Sequence, residues 1–142
     1  MTITTVAQLM TADPLCVTRE ASLKDAHDLM RGKNIRHIPV IDADGILVGM
    51  LTQKIMIAKV MGLMAQFGAT ALERKEKQQL VADMMATDFA AVTPDQSLKE
   101  VAGFFVKNRH GCMPVVDENN KLKGILTSSD FVRLAAQLLE KQ

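Results

Sequence analysis

Short apolar runs alternate with helical patterns along the chain, and turn-forming residues separate them. The apolar run Met113–Val116 is followed by Asp117-Glu-Asn-Asn120, whose residues tolerate the positive φ that a hairpin turn requires. Apolar residues resume from Leu122 to Leu126, and Thr127-Ser-Ser-Asp130 then carries the hydroxyl and the carboxylate of a helix capping box. This stretch therefore predicts two hairpin strands followed immediately by a helix.

The same pattern occurs 75 residues earlier. Residues 6–57 align with residues 81–132 without a gap, and 16 of the 52 aligned pairs are identical. The identical pairs include Met10/Met85, Thr18/Thr93, Ser22/Ser97, Leu23/Leu98, Pro39/Pro114, Asp42/Asp117, Gly49/Gly124 and Thr52/Thr127. A repeat of this length indicates a module present in two copies rather than a solenoid of short units.

Each copy predicts the element order β-α-β-β-α. In the first copy we expect a helix that starts with the capping box Ser22–Asp25 and ends at Gly32, and a hairpin turn at Asp42–Gly45. Thr52 is expected to start the last helix of that copy. The expected strands are Leu15–Thr18, His37–Ile41 and Ile46–Leu51 in the first copy, with Ala90–Thr93 as the first strand of the second.

The second copy also has a capping-box pattern, at Ser97–Glu100, and two amphipathic helices. The expected apolar face of the first of these helices is Leu98, Val101, Phe104 and Phe105, and the second is expected to bury Phe131, Leu134, Ala135 and Leu138. Between the copies lies a charged helical segment that we expect to be solvated, with Glu73 and Lys77 placed for an ion pair. The expected organisation is repeat 1 at residues 1–70, a connector at 71–79 and repeat 2 at 80–142.

A single copy of about 50 residues would be marginally stable, so the two copies should share a core. The fold class is therefore α/β (α+β), with the two repeats packed about a pseudo-twofold axis. Apolar residues on the helix after Thr52 exceed what one chain needs, which predicts a homodimer. They are Val60, Met61, Leu63, Met64 and Phe67. The alternative is that the methionines fill gaps in the chain's own core.

Composition excludes several functional classes. The 142 residues are 48% hydrophobic and 23% charged, and the formal net charge of +1 includes no basic block. Neither nucleic acid nor a membrane surface is therefore an expected partner. Ile55–Leu72 is apolar but too short and too interrupted for a membrane span. No signal peptide is visible, and Cys16 and Cys112 suggest no disulfide framework, so we expect a reducing cytoplasm.

Three motifs recur in the same order in both copies. They are Val-x-x-(Leu/Met)-Met near the start, hydrophobic-Pro-Val-hydrophobic-Asp in the middle, and Gly-hydrophobic-Leu-Thr near the end. With these motifs the chain resembles a tandem pair of cystathionine-β-synthase (CBS) domains, a Bateman module, from Val6 to Leu139. The resemblance implies a stand-alone regulatory module that binds AMP, ADP, ATP or S-adenosylmethionine in a cleft between its repeats and acts on an unknown protein partner. It implies no required cofactor.

The ribose-binding motif of that family is intact only in the second repeat, as Gly124-Ile-Leu-Thr127-Ser-Ser-Asp130. The first repeat has Ile55 in place of the acid. A carboxylate can accept hydrogen bonds from both hydroxyls of a ribose, whereas isoleucine can accept none. An unpaired buried polar group costs about 1–3 kcal/mol, so we expect one strong nucleotide site per chain.

The resemblance also implies further ligand contacts. They are Val92, Thr93, Met113, Pro114 and Ser128 beside the nucleoside, and Arg36, His37, Arg109 and His110 toward phosphates. The alternative interpretation is that Thr127 and Asp130 only cap a helix, in which case the chain is a ligand-free structural dimerisation module. No P-loop, dinucleotide-binding turn, metal-ligand spacing or catalytic acid/base pair is visible, so the sequence predicts neither a metal site nor an enzyme.

Overall fold

The computed structural model describes residues 3–108 and 111–142, which form a mixed helix and strand fold, as expected. Two compact units are present. The first-repeat unit is Leu15–Phe89, and the second-repeat unit combines the residues up to Pro14 with Ala90–Gln142. The helices are α1 (Val6–Leu9), α2 (Leu23–Lys33), α3 (Gln53–Phe67), α4 (Ala69–Gln78), α5 (Leu98–Asn108) and α6 (Ser128–Glu140). The strands are β1 (Thr11–Ala12), β2 (Val17–Thr18), β3 (His37–Ile41), β4 (Leu47–Thr52), β5 (Cys112–Val116) and β6 (Leu122–Thr127).

In the first-repeat unit, the sheet has the order β2-β3-β4, with β2 parallel and β4 antiparallel to β3. The predicted hairpin turn between β3 and β4 is confirmed. Gly45 has φ +82° there, and Asp42 Oδ1 accepts hydrogen bonds from the N–H groups of Asp44 (2.8 Å) and Ile46 (3.0 Å). Leu23, Ile38 and Leu51 are fully buried between the sheet and its helices.

Helix α2 begins as predicted and ends later than predicted. Ser22 accepts a hydrogen bond from the Asp25 N–H at 3.1 Å, and Asp25 Oδ2 accepts one from the Ser22 N–H at 3.0 Å. The prediction that Gly32 ends the helix is wrong, because the left-handed residue is Asn34, with φ 53° and ψ 46°. Asparagine tolerates this conformation through its short polar side chain, so the helix did not need a glycine there.

The charged segment between the repeats is helix α4, and one of its faces is buried. Glu73 and Lys77 form the predicted ion pair at 3.6 Å on the exposed side. The expectation of a fully solvated segment is wrong, however, because Glu76 is only 5% exposed. Its carboxylate lies 2.7 Å from His27 Nδ1 on α2, and this contact compensates for the burial of the charge.

In the second-repeat unit, the sheet has the order β1-β6-β5, with antiparallel pairing throughout. The predicted strand Ala90–Thr93 is reduced to a single parallel bridge between Val92 and Val115. The Val92 N–H donates to the Pro114 carbonyl at 3.0 Å, and the Val116 N–H donates to the Val92 carbonyl at 2.9 Å. Pro94 follows at once and cannot donate a further ladder hydrogen bond.

The two repeats exchange their N-terminal segments. Val6, from the start of the first repeat, is fully buried in the core of the second-repeat unit, and Val81, its counterpart, is fully buried in the core of the first-repeat unit. Met85 packs against Gly49 on β4, and Met10 packs against Gly124 on β6. The glycine of each hydrophobic strand therefore makes room for the segment that belongs to the other repeat.

Several apolar helical residues are more exposed than the pattern predicts. Leu138 is 55% exposed and Ala135 is also exposed, so the expectation that α6 buries these two residues is wrong, and Phe104 on the apolar face of α5 is 38% exposed. Helix α6 instead buries Asp130 and packs Phe131 edge-on against Phe105, with 5.1 Å between ring centroids. Helix α3 buries Leu63 but leaves Ile57, Met61, Met64 and Phe67 between 39% and 66% exposed.

Candidate functional site

The Thr127–Asp130 motif forms a capping box where β6 passes directly into α6. Thr127 is extended, with φ −117° and ψ 161°, and its Oγ1 accepts a hydrogen bond from the Asp130 N–H at 3.2 Å. In return, Asp130 Oδ2 accepts one from the Thr127 N–H at 2.8 Å. These two bonds satisfy donors that the first turn of a helix leaves unpaired, so the predicted cap is confirmed.

Asp130 has further partners that a cap does not require. Its side chain is 1% exposed, and its Oδ1 accepts a hydrogen bond from the Thr11 hydroxyl at 3.4 Å and pairs with the Arg133 guanidinium. Burial of a carboxylate is unfavourable unless donors compensate it, and these contacts supply that compensation. Thr11 belongs to β1, so the site joins the two ends of the chain.

Cys112 lies beside this motif, on the neighbouring strand β5. It pairs with Thr127 in the β5–β6 ladder. Burial, and then the negative charge of Asp130, raise the pKa of the Cys112 thiol from 9.0 to about 12. The thiolate fraction at neutral pH is therefore far smaller than for an ordinary cysteine, which disfavours a nucleophilic role.

A cleft of about 300 Å³ lies between the Val92 bridge and helix α5. It brings together two of the predicted ligand contacts, Val92 and Met113, which are both almost completely buried. The other lining residues are Ala90, Ala91, Gln96, Glu100, Val101 and Phe104. On α5, Val101 and Phe104 contribute apolar surface and Glu100 contributes a carboxylate, and Gln96 lies in the turn before the helix, so the cleft can accommodate a small amphipathic group.

The remaining predicted contacts of the second repeat are placed differently. The Thr93 hydroxyl donates to Asp95 Oδ1 at 2.7 Å, and the Thr93 N–H donates to Gln96 Oε1 at 2.7 Å, so this residue stabilises the turn before α5. Ser128 is the exposed first residue of α6. Pro114 is buried within β5, and its carbonyl accepts the Val92 N–H.

The first-repeat unit contains Arg36 and His37 at the start of β3. Arg36 is exposed, and burial followed by the charge of Arg36 lowers the pKa of His37 below 6.5. Thr52 caps α3 by accepting a hydrogen bond from the Ile55 N–H at 3.1 Å, and Ile55 packs partly buried against the core. The expected phosphate contacts Arg109 and His110 lie outside the described residues.

Two residues whose side chains contact Asp130 were not predicted from the sequence. Arg133 lies three positions after Asp130, a spacing that places two side chains on one helical face, so the pattern could have shown it. Thr11 is 119 positions away from Asp130, and no local pattern links the two residues. Only the exchange of N-terminal segments brings them together.

Residues 3–108 and 111–142 contain neither a cluster of metal ligands nor a helix able to span a membrane. Within these ranges, no group of three or more His, Cys, Asp and Glu side chains is arranged to hold a metal ion. None of the helices described over the same residues has the length and hydropathy needed to cross a membrane.

Comparisons of the sequence with known proteins find a matching family and several relatives. The CBS domain family model matches residues 6–62 and 81–137. A CBS domain-containing protein of Bacillus subtilis (YhcV) is 27% identical over 91% of this chain and 84% of its own length. Other relatives are longer. A homoserine O-acetyltransferase of Methanocorpusculum labreanum is 30% identical over 90% of this chain, which spans 23% of that protein's length. An uncharacterized protein (MJ1225) of Methanocaldococcus jannaschii is 26% identical over 91% of this chain, which spans 42% of that protein's length.

Solved structures with the same fold cover nearly the whole chain. A protein assigned to acetoin utilization (AcuB) from Vibrio cholerae has a TM-score of 0.81 and 35% identity, over 99% of this chain and 95% of that one. CBSX2 in complex with AMP has a TM-score of 0.77 and 28% identity, over 94% and 97%. The CBS domain pair of MJ0100, in complex with 5′-methylthioadenosine and S-adenosylmethionine, has a TM-score of 0.74 and 26% identity, over 96% and 98%. The chain therefore belongs to the CBS domain family and carries two copies of the domain.

Proposed function

We propose that this chain is a regulatory module that binds an adenosine-type ligand, such as AMP, ADP, ATP or S-adenosylmethionine. It would act as a binding module and not as an enzyme, in the cytoplasm, on a protein partner still to be identified. The main site would be in the second repeat, centred on Thr127 and Asp130. The observation that carries the proposal is the buried carboxylate of Asp130, at the motif position where the first repeat has Ile55.

The proposed recognition follows from the chemistry of this group. A ribose presents two hydroxyl donors, and an ionised carboxylate accepts both in short, charge-assisted hydrogen bonds. Val92 and Met113 would provide apolar contacts for the base in the cleft that they already line, a cleft whose lining does not include Thr127 or Asp130. Related CBS pairs in complex with AMP and with S-adenosylmethionine support an adenosine ligand for this fold. A ligand of this kind regulates only if it binds one arrangement of the module better than another.

Phosphate groups would require cations, and the proposal assigns this role to Arg36, His37, Arg109 and His110. Arg36 is exposed, so its guanidinium is free of the desolvation that buried cations suffer. S-Adenosylmethionine carries no phosphate, and its binding would not depend on these side chains. Comparison of Arg36→Ala binding to ATP and to S-adenosylmethionine therefore separates the two ligand classes.

A melting scan tests the proposed function. Protein with AMP, ATP or S-adenosylmethionine at about 100 times the dissociation constant should gain about 2.7 kcal/mol of stability. The variant Asp130→Ala should lose this gain, and Asp25→Ala is the matched control, because it removes an exposed capping carboxylate from the first repeat without touching the proposed site. Equal stabilisation of the wild type and Asp130→Ala would refute the proposed role of Asp130.

The second candidate function is a ligand-free structural dimerisation module. Exposed apolar side chains on α3 favour it, since Met61 is 66% exposed and Ile57 is 45% exposed. Under this alternative no adenosine compound would shift the melting temperature, and Asp130→Ala would cost only the ~0.5–2 kcal/mol of a lost cap. Both functions are compatible with a homodimer through α3, and Met61→Glu should then raise the monomer fraction in analytical ultracentrifugation.

A further inference from the structure

Both oxygens of the Asp130 carboxylate already have partners within the chain. Its Oδ2 is held by the Thr127 N–H at 2.8 Å, as part of the cap. Its Oδ1 is shared by the Thr11 hydroxyl, at 3.4 Å, and the Arg133 guanidinium. The Thr11 hydroxyl and a ribose hydroxyl are chemically alike, because each is a neutral O–H donor to a carboxylate oxygen.

Of the contacts to Oδ1, the one with Thr11 is the easier to replace by a hydroxyl. At 3.4 Å it is far longer than the usual 2.7–2.8 Å of O–H···O bonds, so it contributes little by comparison. The Arg133 contact is ionic, and the Arg133 side chain is 63% exposed, so the guanidinium can remain near the carboxylate while another group enters. A ligand hydroxyl that displaced Thr11 would exchange a long hydrogen bond for a short one.

Thr11 lies on the segment that the first repeat contributes to the second-repeat unit. Strand β1 contains only Thr11 and Ala12, which pair with Ile125 and Gly124 at the edge of the sheet. The following Asp13 has φ 48°, and its N–H reaches the Lys123 carbonyl at 3.4 Å. Such a short edge strand has few bonds to lose, and it leads through Pro14 directly to Leu15, where the first-repeat unit begins.

We infer that Thr11 is a built-in competitor of the ligand at Asp130, so that ligand binding releases β1 and β1 docking weakens ligand binding. This inference rests on the proposed function and adds a regulatory coupling to the same site. The coupling is reciprocal. If the docked Thr11 lowers the affinity for the ligand by some factor, the bound ligand weakens the docking of Thr11 by the same factor. The output of the module is then an N-terminal segment whose attachment depends on site occupancy.

The variant Thr11→Val tests the competition, since it removes the hydroxyl and keeps the shape of the side chain. Affinity for AMP and for S-adenosylmethionine, measured by calorimetry on the full chain, should rise about 2–5-fold for the compound that binds, because the ligand no longer has a competitor. The matched control is Thr5→Val, which makes the same change in the same segment. Its hydroxyl donates to Gln8 Oε1 at 3.2 Å and has no contact with Asp130, so affinity should stay unchanged.

Amide hydrogen exchange gives a second readout that a purely structural role of Thr11 would not produce. Saturating ligand should speed exchange at residues 11–13 in the wild type, while the amide of Asp130 in the cap remains protected. Unchanged or weaker binding by Thr11→Val, an equal gain in Thr5→Val, or slower exchange at residues 11–13 would overturn the competition. If neither compound binds the wild type, the proposed function and this inference both fail, whereas binding by the wild type without a gain in Thr11→Val overturns the competition alone.

Discussion

The last helices of the two repeats start with the same backbone conformation but differ in the side chain three residues after the cap. Thr52 has φ −105° and ψ 158°, Thr127 has φ −117° and ψ 161°, and each hydroxyl accepts the N–H three residues later. The first repeat then has Ile55, which packs against the hydrophobic core, whereas the second has Asp130, which is buried and surrounded by donors. Because α3 forms without an acid at this position, helix formation alone does not require the carboxylate of Asp130.

A third capped helix supports the same conclusion. Asp25 completes the capping box of α2 while it remains exposed to solvent. Capping therefore does not require the burial that Asp130 undergoes. Burial of a charge is unfavourable in itself, and a site that must bind a polar ligand away from water is one physical reason for a protein to maintain it.

The difference between the repeats extends to the neighbouring strands. His37 and Cys112 occupy the same ladder position, opposite Thr52 and Thr127 respectively. Burial and Arg36 lower the pKa of His37, which favours a neutral imidazole at this position of the first repeat. Burial and Asp130 raise the pKa of Cys112, which favours a neutral thiol beside the acid. Both repeats thus keep this ladder position uncharged, by opposite shifts of pKa.

The largest expected effect concerns the two cysteines. With its pKa at about 12, Cys112 should have ~10²–10³-fold less thiolate at pH 8 than an ordinary thiol, and react correspondingly more slowly with a disulfide reagent. Cys16 is the internal comparison, because burial raises its pKa without a neighbouring carboxylate among the causes. Asp130→Asn should speed the reaction of Cys112 and leave Cys16 unchanged. Equal rates for both thiols in the wild type would contradict the assigned environment.

The next largest effect distinguishes the two equivalent glycines. A Cβ on Gly124 would lie 2.7 Å from the backbone carbonyl oxygen of Thr11, so Gly124→Ala would have to displace strand β1 and should destabilise by about 1–3 kcal/mol. The atoms nearest to a Cβ on Gly49 all belong to the flexible Met85 side chain, which can adopt another rotamer, so Gly49→Ala should cost less than ~1 kcal/mol. Urea denaturation measures both. A larger loss for Gly49→Ala would show that the backbone contact is unimportant.

A smaller effect is expected when the first repeat is given the acid. Ile55→Asp should change the free energy of unfolding by less than about 1 kcal/mol, because a new capping box, with its ~0.5–2 kcal/mol, offsets the lost packing of a partly buried side chain. The matched variant Ile55→Ala loses the packing without the cap and should be less stable than Ile55→Asp. The reverse order in thermal melts would show that packing dominates at this position.

The smallest effect is the pH dependence due to His37. Because its pKa is lowered in the folded state, the unfolded chain takes up this proton at a higher pH than the folded chain does. The stability contributed by the neutral imidazole is therefore present above about pH 6.5 and is lost as the pH falls through the folded-state pKa. His37→Gln should flatten this part of the stability curve between pH 7.5 and 5.5. Parallel curves for the two proteins would exclude the effect.

Local patterns predicted most of the fold. The repeat, the hairpin turns and the caps at Ser22, Thr52 and Thr127 are all confirmed, because each depends on residues that are close in sequence. What was missed depends on distant residues. The burial of Glu76 requires His27, which lies 49 positions away. The exposure of Phe104 depends on a cleft that the short Val92 bridge leaves open.

For the candidate site, the sequence predicted the acid and its cap but not the other partners of the acid. The contact between Thr11 and Asp130 exists only because the repeats exchange their N-terminal segments. A pairwise alignment of the repeats shows equivalent positions and cannot show which unit each segment joins. That exchange is also what connects the candidate site to the start of the chain.

The measurement that tests the central claim most directly is a calorimetric titration of the wild type and Asp130→Ala with AMP and with S-adenosylmethionine. The account predicts one strong site per wild-type chain for at least one of these ligands, and a loss of affinity of at least ~10-fold in Asp130→Ala. Two equal sites per chain, or unchanged affinity in the variant, would contradict the claim that Asp130 distinguishes the second repeat from the first.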